Sequence, residues 1–317
     1  MLSITVLIPT YRRSVDLKRC LEALKQQNRP PDEVLLTVRD TDTETWDFLK
    51  VYDSEFLNLR VIEVNRSGVV AAMNSALAAF TSDIIANTDD DAAPHSDWLE
   101  RIEALFQSDS TIGGVGGRDW QYADNVLKNL EECETVGKVQ WFGRVIGNHH
   151  IGIGEAREVD VLKGVNMAYR REAIGTLTFD ERLQGTGAQV HFELAFSLKL
   201  RLKGWKLIYD PKIVVDHYPA QRFDEDGRDR FNSIAQCNTV HNETLALLDY
   251  LSTTRKFVFI CWAVLIGTSA SMGFVQWLRF LPHNRPTATQ NFLSSCRGRY
   301  EGWQTWKMLN LELGASE

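Results

Sequence analysis

Paired cysteines are missing from this chain. Its five cysteines are odd in number, widely spaced and form no CxxC motif; they are Cys20, Cys133, Cys237, Cys261 and Cys296. Neither a disulfide framework nor a zinc site is indicated, and a reducing cytoplasm is the expected location. The first residues also lack the basic region, apolar core and cleavage site of a secretory signal peptide, so export by that route is not expected.

Excess positive charge and repetition are lacking as well. The formal net charge of −7 argues against a general nucleic-acid binder, because such proteins neutralise phosphates with basic patches. We therefore expect no nucleic-acid partner. No internal repeat or low-complexity tract occurs. With 44% hydrophobic residues in 317, the chain can bury the core of one large α/β domain, with or without an appended segment.

Apolar strand patterns alternate with helix patterns in the first third of the chain. Strands are predicted at 3–9, 33–38, 60–64 and 83–87, with helices at 15–26 and 71–80. This alternation predicts a parallel, doubly wound sheet that binds ligands at the carboxyl ends of its strands. After the glycine-rich segment 113–117 we expect loops or irregular strands to about residue 154, then strands at 161–169, 206–209 and 213–215 and a helix at 193–203.

Three consecutive aspartates follow the fourth predicted strand. Asp89 and Asp91, at positions i and i+2, can project together from an extended turn. Hard oxygen ligands suit Mg²⁺ or Mn²⁺ held beside substrate phosphates, where the cation stabilises charge that develops on a diphosphate leaving group. The alternative is a solvated acidic turn or a helix N-cap, where Asp is common without any metal.

Four motifs occur in a fixed order along the chain. They are VLIPTYRR at 6–13, GVVAAMN at 68–74, GVNMAYRR at 164–171 and LKGWKLIYDP at 202–211, which leads to Asp216-His217. Together with the acidic triplet, this set resembles the family 2 glycosyltransferases of the GT-A fold over roughly residues 4–219. The ordered set is far more specific than any one of its members.

The resemblance implies an inverting transferase with a Rossmann-like, mostly parallel sheet flanked by helices. It divides the chain into a nucleotide-sugar half at 1–118, an acceptor half at 119–220 and a C-terminal helical region at 221–317. A nucleotide-sugar donor and a saccharide or lipid-linked acceptor are the implied partners. The donor-binding residues that it implies are Pro9, Thr10, Tyr11, Asp40, Asn74, Asp89 and Asp90.

Asp40, at the end of the second strand, is implied to contact the nucleotide base. A carboxylate can accept a hydrogen bond from a base N–H at this place in the sheet. The segment 39–42 reads Arg-Asp-Thr-Asp, where many family members carry Asp-Asp-Gly or Asp-Gly-Ser. The alternative is that this segment only caps the next helix.

The acceptor side carries two candidates for the general base. Many family members use an acidic pair before the late helix, and this chain has none. An ungapped count back from Gly204 places Glu193 at the position of the base, and His191 lies two residues earlier. Both side chains can remove a proton from a hydroxyl within hydrogen-bond reach. A helix-surface glutamate without a catalytic role is the alternative.

His217 follows the last predicted strand. In similar GT-A enzymes a histidine near this place binds the metal or the diphosphate, so the implied metal ligands are Asp89, Asp91 and His217, with Mg²⁺ or Mn²⁺ as the cofactor. A histidine between Asp216 and Tyr218 is also commonly a packed or hydrogen-bonded residue near the surface.

The segment 257–275 contains no charged residue and is flanked by Arg255-Lys256 and Arg279. Its length predicts a membrane helix, and its glycines, serines and threonine leave a buried helix or an interfacial helix as alternatives. We expect membrane association at the cytoplasmic face.

Three functions compete on this sequence. The first is transfer of a sugar from a nucleotide-diphosphate sugar to an acceptor hydroxyl, in polysaccharide or glycolipid synthesis. A sugar nucleotidyltransferase would need a glycine-rich loop after the first strand, and Pro9-Thr10-Tyr11 stands there instead. A catalytically degenerate domain acting as a membrane-associated scaffold is the alternative that the missing acidic pair suggests.

Overall fold

The computed structural model of the protein describes residues 1–225, 227 and 230–314. The chain forms two compact units. The first comprises Met1–Lys138, Ile146–Phe179 and Lys199–Ala220, and the second comprises Val139–Val145, Asp180–Leu198 and Gln221–Glu317. The division at residues 118 and 220 stays a prediction.

Strands and short helices alternate along the described part of the chain. The strands are β1 (Ile4–Thr10), β2 (Glu33–Arg39), β3 (Leu59–Val64), β4 (Ile84–Thr88), β5 (Ala92–Pro94), β6 (Ile112–Ala123), β7 (Val126–Leu127), β8 (Lys138–Val139), β9 (Val145–Ile146), β10 (Arg157–Val159), β11 (Asn166–Arg170) and β12 (Lys206–His217). The helices are α1 (Ser14–Lys25), α2 (Thr43–Val51), α3 (Val69–Ala79), α4 (Trp98–Ser108), α5 (Arg171–Ile174), α6 (Phe192–Leu202), α7 (Ser233–Tyr250), α8 (Thr253–Leu265), α9 (Phe274–Phe280) and α10 (Arg285–Gly314), with a short 3₁₀ helix at His149–Ile151.

A ten-stranded, mostly parallel sheet organises the first unit. Its order is β10-β12-β6-β11-β4-β1-β2-β3, with β5 paired to β12 and β7 to β6. Strands β4, β1, β2 and β3 are parallel neighbours, whereas β11 runs antiparallel between β4 and β6. The predicted α/β fold is confirmed. The first four strands and helices α1 and α3 begin and end within about two residues of their predicted bounds, because their apolar periodicity is strong.

The hydrophobic core explains why these elements form. Nearly every residue of β1, β2 and β4 is buried, which is typical of parallel strands covered on both faces. Helix α1 packs on the sheet with Leu17, Leu21 and Leu24, which lie on one face at helical spacing. Burial of this kind contributes roughly 1.5–3 kcal/mol for each large apolar side chain.

The glycine-rich segment 113–117 forms the first half of strand β6, which continues to Ala123 where loops or irregular strands were expected. Glycine is required there because neighbours approach the backbone closely. A Cβ on Gly113 would lie 2.7 Å from Trp205 Cβ, and one on Gly117 would lie 1.8 Å from the carbonyl oxygen of Ile213. Strand periodicity is invisible in a run of glycines, so the sequence pattern missed this strand.

Three further predicted strands differ from the structure. The strands expected at 206–209 and 213–215 form one strand, β12, which pairs with β6 on both sides of an irregularity between Asp210 and Val214. The strand expected at 161–169 begins only at Asn166. Both differences arise because β6, which pairs with β11 and β12, was not expected.

A Gly117→Ala substitution is expected to destabilise the protein severely. The added methyl group would collide with backbone, which cannot move aside as a flexible side chain can, so the loss is at least about 3 kcal/mol. Urea unfolding measures it. Gly147→Ala is the matched control, since no atom lies within 4 Å of its added Cβ. Equal stabilities for the two variants would contradict this packing.

Helices α7 and α10 form the main pair in the second unit. A Cβ on Gly298 or Gly302 of α10 would lie 2.4 Å from the Cys237 carbonyl oxygen or 2.7 Å from that of His241, both on α7. The two glycines, spaced i and i+4, therefore bring the two helix backbones into close contact. Asn232 caps α7 by accepting hydrogen bonds from the backbone N–H groups of Ile234 and Ala235.

The single membrane helix predicted at 257–275 is wrong. Helix α8 ends at Leu265 and α9 begins at Phe274, with a tight turn between them. Gly267 adopts a φ of 66°, which ends α8. Among the described residues, no helix combines the length and the apolar character that crossing a bilayer requires.

Candidate functional site

The loops that carry the predicted donor residues emerge at one edge of the sheet. Strand β1 pairs in parallel with β2 on one side and with β4 on the other. The carboxyl ends of these three strands therefore lie side by side, and the loops 11–13, 40–42 and 89–91 follow them directly. The sequence predicted this juxtaposition from the order of strands and helices.

Asp42 ties the first two loops together. Its buried carboxylate accepts a hydrogen bond of 2.6 Å from the backbone N–H of Arg12 and bonds from the backbone N–H and hydroxyl of Thr45. Asp42 is thus the N-cap of α2, as the alternative reading of this segment required. Asp40 does not share that role. Its side chain is 39% exposed, accepts a hydrogen bond from the backbone N–H of Thr41 and lies 3.8 Å from the guanidinium of Arg39.

The predicted donor residues Pro9, Thr10 and Tyr11 lie at the end of β1 and directly after it, next to the end of β2. Thr10 is buried at the end of the strand, and Pro9 is half-buried. The ring of Tyr11 lies 5.8 Å from the guanidinium of Arg39 and 6.0 Å from that of Arg12. Arg39 therefore adjoins both the Tyr11 ring and, at 3.8 Å, the carboxylate of Asp40. A cation beside an aromatic ring suits a nucleotide that carries both a planar base and negative charge.

Arg13, the last residue of the VLIPTYRR motif, belongs to the site, although the motif predicts no role for it. Its Nη1 donates to Asp90 Oδ1 at 2.9 Å and lies 3.7 Å from Asp91 Oδ2. Burial raises the pKa of the Asp90 carboxyl, the charge of Asp91 adds to this effect, and Arg13 opposes it. Arg13 thereby offsets part of the negative charge that three adjacent aspartates concentrate here.

The three predicted metal ligands meet in the structure. Strand β5 pairs antiparallel with β12, which places His217 opposite Ala92 and hence next to Asp91. One ligand atom from each of Asp89, Asp91 and His217 lies within 4.8 Å of the other two. This spacing is that of atoms able to share one small cation.

Two buried atoms of this cluster support a cation. Asp91 Oδ1 and His217 Nε2 lie 3.4 Å apart, and neither makes a hydrogen bond with any described group. At 3.4 Å the two atoms form only a weak ion pair, so both can bind a cation that replaces the proton of His217. The other oxygen of Asp91 accepts the backbone N–H of Ala220 at 2.9 Å, which fixes the carboxylate. An Asp-Asp-His set therefore fits a divalent metal, without a choice between Mg²⁺ and Mn²⁺.

Asp119 and Lys163 lie directly behind His217. The fully buried Asp119 contacts His217 Nδ1 at 3.3 Å with Oδ2, and the same oxygen accepts from Lys163 Nζ at 2.5 Å. An Nδ1–H donated to a carboxylate leaves Nε2 to face the cation, which is the usual support of a metal-binding histidine. Sequence patterns missed both residues. Asp119 lies in the stretch expected to be irregular, and Lys163 lies in the strand predicted at 161–169, where no motif marks it.

Replacing Asp119 with Asn is expected to weaken Mn²⁺ binding about 10–100-fold, the usual effect of losing a carboxylate behind a metal-binding histidine. Isothermal titration with Mn²⁺ measures this change. Asp216→Asn is the matched control, since Asp216 adjoins His217 in sequence but accepts from His95 at 3.1 Å. An unchanged Mn²⁺ affinity in Asp119→Asn would contradict the role of Asp119.

Mn²⁺ binding is expected to tighten as the pH rises from 7 to 9. Burial alone would lower the pKa of His217, but the carboxylates of Asp119 and Asp91 outweigh it and raise the pKa to about 9. The metal-free site therefore holds a proton at pH 7 that cation binding must release, so affinity rises up to about tenfold per pH unit and levels off above the pKa. Titrations at several pH values measure the slope, and a flat profile would contradict it.

Asn74 occupies a supporting position. Its side-chain amide donates to the Phe179 carbonyl at 3.0 Å and accepts the Phe179 N–H at 2.8 Å. This two-bond pairing joins α3 to the chain after α5, and it accounts for the asparagine of the GVVAAMN motif without a ligand. Its assignment to donor binding stays a prediction.

The two candidate bases lie at the start of α6, in the second unit. His191 and Glu193 are both half-buried. His191 has a φ of 77°, a conformation that is uncommon outside glycine and is often found at functional sites. The buried Asn242 of α7 donates to the carbonyls of Gln184 and Val190, and so fixes both ends of the loop before α6.

Comparison with known proteins decides the family. The model of the family described as "Glycosyl transferase family 2" matches residues 5–178, which is more than half of the chain. The chain belongs to glycosyl transferase family 2. The family match covers the three loops at the sheet edge and the segment 164–171, and the resemblance inferred from the motifs is confirmed.

Two curated relatives match the chain over part of their length. Glycosyltransferase AglE of Haloferax volcanii is 31% identical over 116 residues, which are 36% of this chain and 36% of that protein. Poly(ribitol-phosphate) beta-glucosyltransferase of Bacillus spizizenii is 31% identical over 127 residues, 37% of this chain and 20% of that protein. The aligned region therefore spans about a third or less of each relative.

Solved structures share the fold at low sequence identity. The mannosyltransferase PcManGT from Pyrobaculum calidifontis, in complex with GDP-Man and Mn²⁺, aligns over 94% of this chain and 87% of its own, with a TM-score of 0.57 and 17% identity. S. aureus TarS 1–349, in complex with UDP-GlcNAc, aligns over 100% of this chain and 93% of its own, with a TM-score of 0.60 and 14% identity.

Proposed function

We propose that this member of family 2 is a metal-dependent glycosyltransferase that takes a sugar from a nucleotide-diphosphate donor. The observation that carries the proposal is the Asp89-Asp91-His217 cluster at the carboxyl edge of the sheet, with two unsatisfied buried atoms facing one another. Neighbours with the same fold are described with GDP-Man and Mn²⁺ or with UDP-GlcNAc. These complexes support a nucleotide sugar as the donor class.

Each loop of the sheet edge has a task in this proposal. The base lies at Tyr11 and Asp40, the diphosphate lies at the acidic triplet, and Arg13 keeps Asp90 in place. A divalent cation, when bound, stabilises the negative charge of the leaving diphosphate. Asp89, Asp91 and His217 hold that cation, and Asp119 orients His217.

We propose an inverting displacement, in which the acceptor hydroxyl attacks the anomeric carbon and the nucleoside diphosphate departs. Glu193 removes the hydroxyl proton, and His191 is the second candidate for this step. We propose as the acceptor a saccharide, free or lipid-linked, in polysaccharide or glycoconjugate synthesis. Both curated relatives are named as glycosyltransferases, one of them a poly(ribitol-phosphate) beta-glucosyltransferase, which supports the reaction class. Membrane association and a cytoplasmic location stay predictions.

Turnover of nucleotide sugars tests the function. The purified chain is incubated with UDP-, GDP- and dTDP-linked sugars and Mn²⁺, and release of nucleoside diphosphate is followed with and without oligosaccharide acceptors. We expect release from one donor class that stops with EDTA, and an anomeric configuration in the product opposite to that of the donor by NMR. Absence of release from every donor, in a folded sample, would favour the scaffold alternative.

A further inference from the structure

Six large apolar side chains are exposed around the turn between α8 and α9. Each is between 38% and 58% exposed. We call this surface the apolar corner. Its members are Val264, Leu265, Ile266, Phe274, Val275 and Leu278. Single exposed apolar residues are ordinary, but six within fifteen residues of sequence mark a contact surface.

Close backbone contacts make the apolar corner one continuous surface. A Cβ on Gly273 would lie 2.7 Å from the Ala263 carbonyl oxygen and equally close to the Ile266 carbonyl carbon. The end of α8 therefore touches the start of α9. Phe274, Val275 and Leu278 follow at positions i, i+1 and i+4, which lie on one face of a helix.

The turn behind the apolar corner is held by α10. Asn291 accepts the backbone N–H of Met272 at 3.2 Å and donates to the Ala270 carbonyl at 3.0 Å. The buried Arg299 donates to the carbonyls of Ser271 and Met272. Because buried polar side chains fix this turn, the apolar residues are presented by an ordered scaffold.

The stretch of sequence that carries the apolar corner contains charges of one sign. Between Asp249 and Glu301 the sequence has no acidic residue, although the whole chain carries a net charge of −7. The same segment contains Arg255, Lys256, Arg279, Arg285, Arg297 and Arg299. Arg279 and Arg285 are exposed, and they follow the apolar face of α9 in sequence, with His283 between them. Arg297 is paired with Glu301 and Arg299 is buried, so the cations that remain beside the apolar face of α9 are the exposed Arg279 and Arg285. An apolar helix face followed by two exposed arginines fits a surface that is apolar inside and anionic outside.

We propose that the apolar corner inserts into the headgroup region of an anionic lipid bilayer, in the plane of the membrane and without crossing it. The apolar side chains enter the boundary between headgroups and acyl chains, while Arg279 and Arg285 contact lipid phosphates. This mode is independent of the proposed catalysis, since none of these residues belongs to the sheet-edge site. Binding in the plane of the membrane is consistent with the length of α9, whose 7 residues are far too few to span a bilayer.

Vesicle flotation with the full chain tests the proposal. We expect flotation with vesicles of phosphatidylcholine and phosphatidylglycerol, little flotation with phosphatidylcholine alone, and loss of binding in 0.5 M NaCl. Phe274→Ser/Leu278→Ser and Arg279→Glu/Arg285→Glu are each expected to reduce partitioning at least about tenfold, since one basic residue near an anionic surface contributes about fivefold.

Matched controls distinguish binding by this surface from non-specific adsorption to vesicles. Val51→Ser/Phe56→Ser removes two exposed apolar residues of the first unit, and Lys18→Glu/Lys203→Glu reverses two exposed charges there; both should float like the unaltered chain. Equal flotation with neutral vesicles, or an equal loss of flotation in the controls, would overturn the proposal. Absence of flotation would overturn it as well, and light scattering that shows self-association lost in Phe274→Ser/Leu278→Ser would then assign the surface to a second copy of the chain. Nucleotide binding, measured on the same samples, reports separately on the sheet-edge site.

Discussion

A Glu193→Gln variant is expected to lose about 10²–10⁴-fold in kcat, because an amide cannot take the proton of the acceptor hydroxyl. Nucleotide binding should stay unchanged, since Tyr11, Asp40 and Asp89 lie on the loops after β1, β2 and β4 and not on α6. Steady-state kinetics with the preferred donor measures the first quantity, and titration with the nucleoside diphosphate measures the second. Glu172→Gln, an exposed glutamate on α5, is the matched control.

His191 gives this prediction its sharpest alternative. If His191→Ala loses at least a hundredfold in kcat while Glu193→Gln loses less than tenfold, the base is His191. The unusual backbone of His191 at the start of α6 provides a structural reason to test it, because strained residues cluster at functional sites. Equal, small losses in both variants would contradict a base in this segment.

An Asp91→Asn variant is expected to lose at least about 10³-fold in turnover, because Lewis-acid stabilisation of the leaving group contributes several kcal/mol. Asparagine keeps the size of the side chain and an acceptor for the Ala220 N–H but removes the charge that faces His217. Turnover is measured over a range of Mn²⁺ concentrations. Asp47→Asn, which alters an exposed aspartate paired with Lys50, is the control.

The buried position of Asp91 makes a second readout necessary. Loss of charge next to His217 and Arg13 changes the stability of the loop as well as metal binding. Thermal unfolding without Mn²⁺ therefore accompanies the kinetics. A variant that folds as stably as the unaltered chain and turns over at the same Mn²⁺-dependent rate would contradict the role of Asp91.

The nucleotide half of the fold could be predicted because its pattern is regular. Buried parallel strands have uninterrupted apolar runs, and α1 has leucines at helical spacing, so order and bounds followed from the sequence. The acidic triplet and His217 could be predicted as a set from the resemblance. Their contact depends on the pairing of β5 with β12, which the sequence pattern of neither strand predicts.

Long-range packing decided the parts that the sequence pattern missed. Gly113 and Gly117 of β6 are required because Trp205 and Ile213, about a hundred residues later in the chain, lie too close for a Cβ. Asp119 supports His217 from that same strand, so its role was hidden with the strand. The run 257–275 predicts one helix because it is long and contains no charge. In the structure Gly267 and Gly273 lie in close contact, and the chain turns between them.

Binding of nucleoside diphosphates tests the central claim most directly. The chain is titrated with UDP, GDP and dTDP in the presence of Mn²⁺ and again with EDTA, by thermal unfolding and calorimetry, alongside Asp91→Asn. The account predicts that one of these diphosphates stabilises the protein, that EDTA abolishes the effect, and that Asp91→Asn does not show it. Stabilisation that persists in EDTA and in Asp91→Asn, or no stabilisation of a folded chain by any of the three, would contradict it.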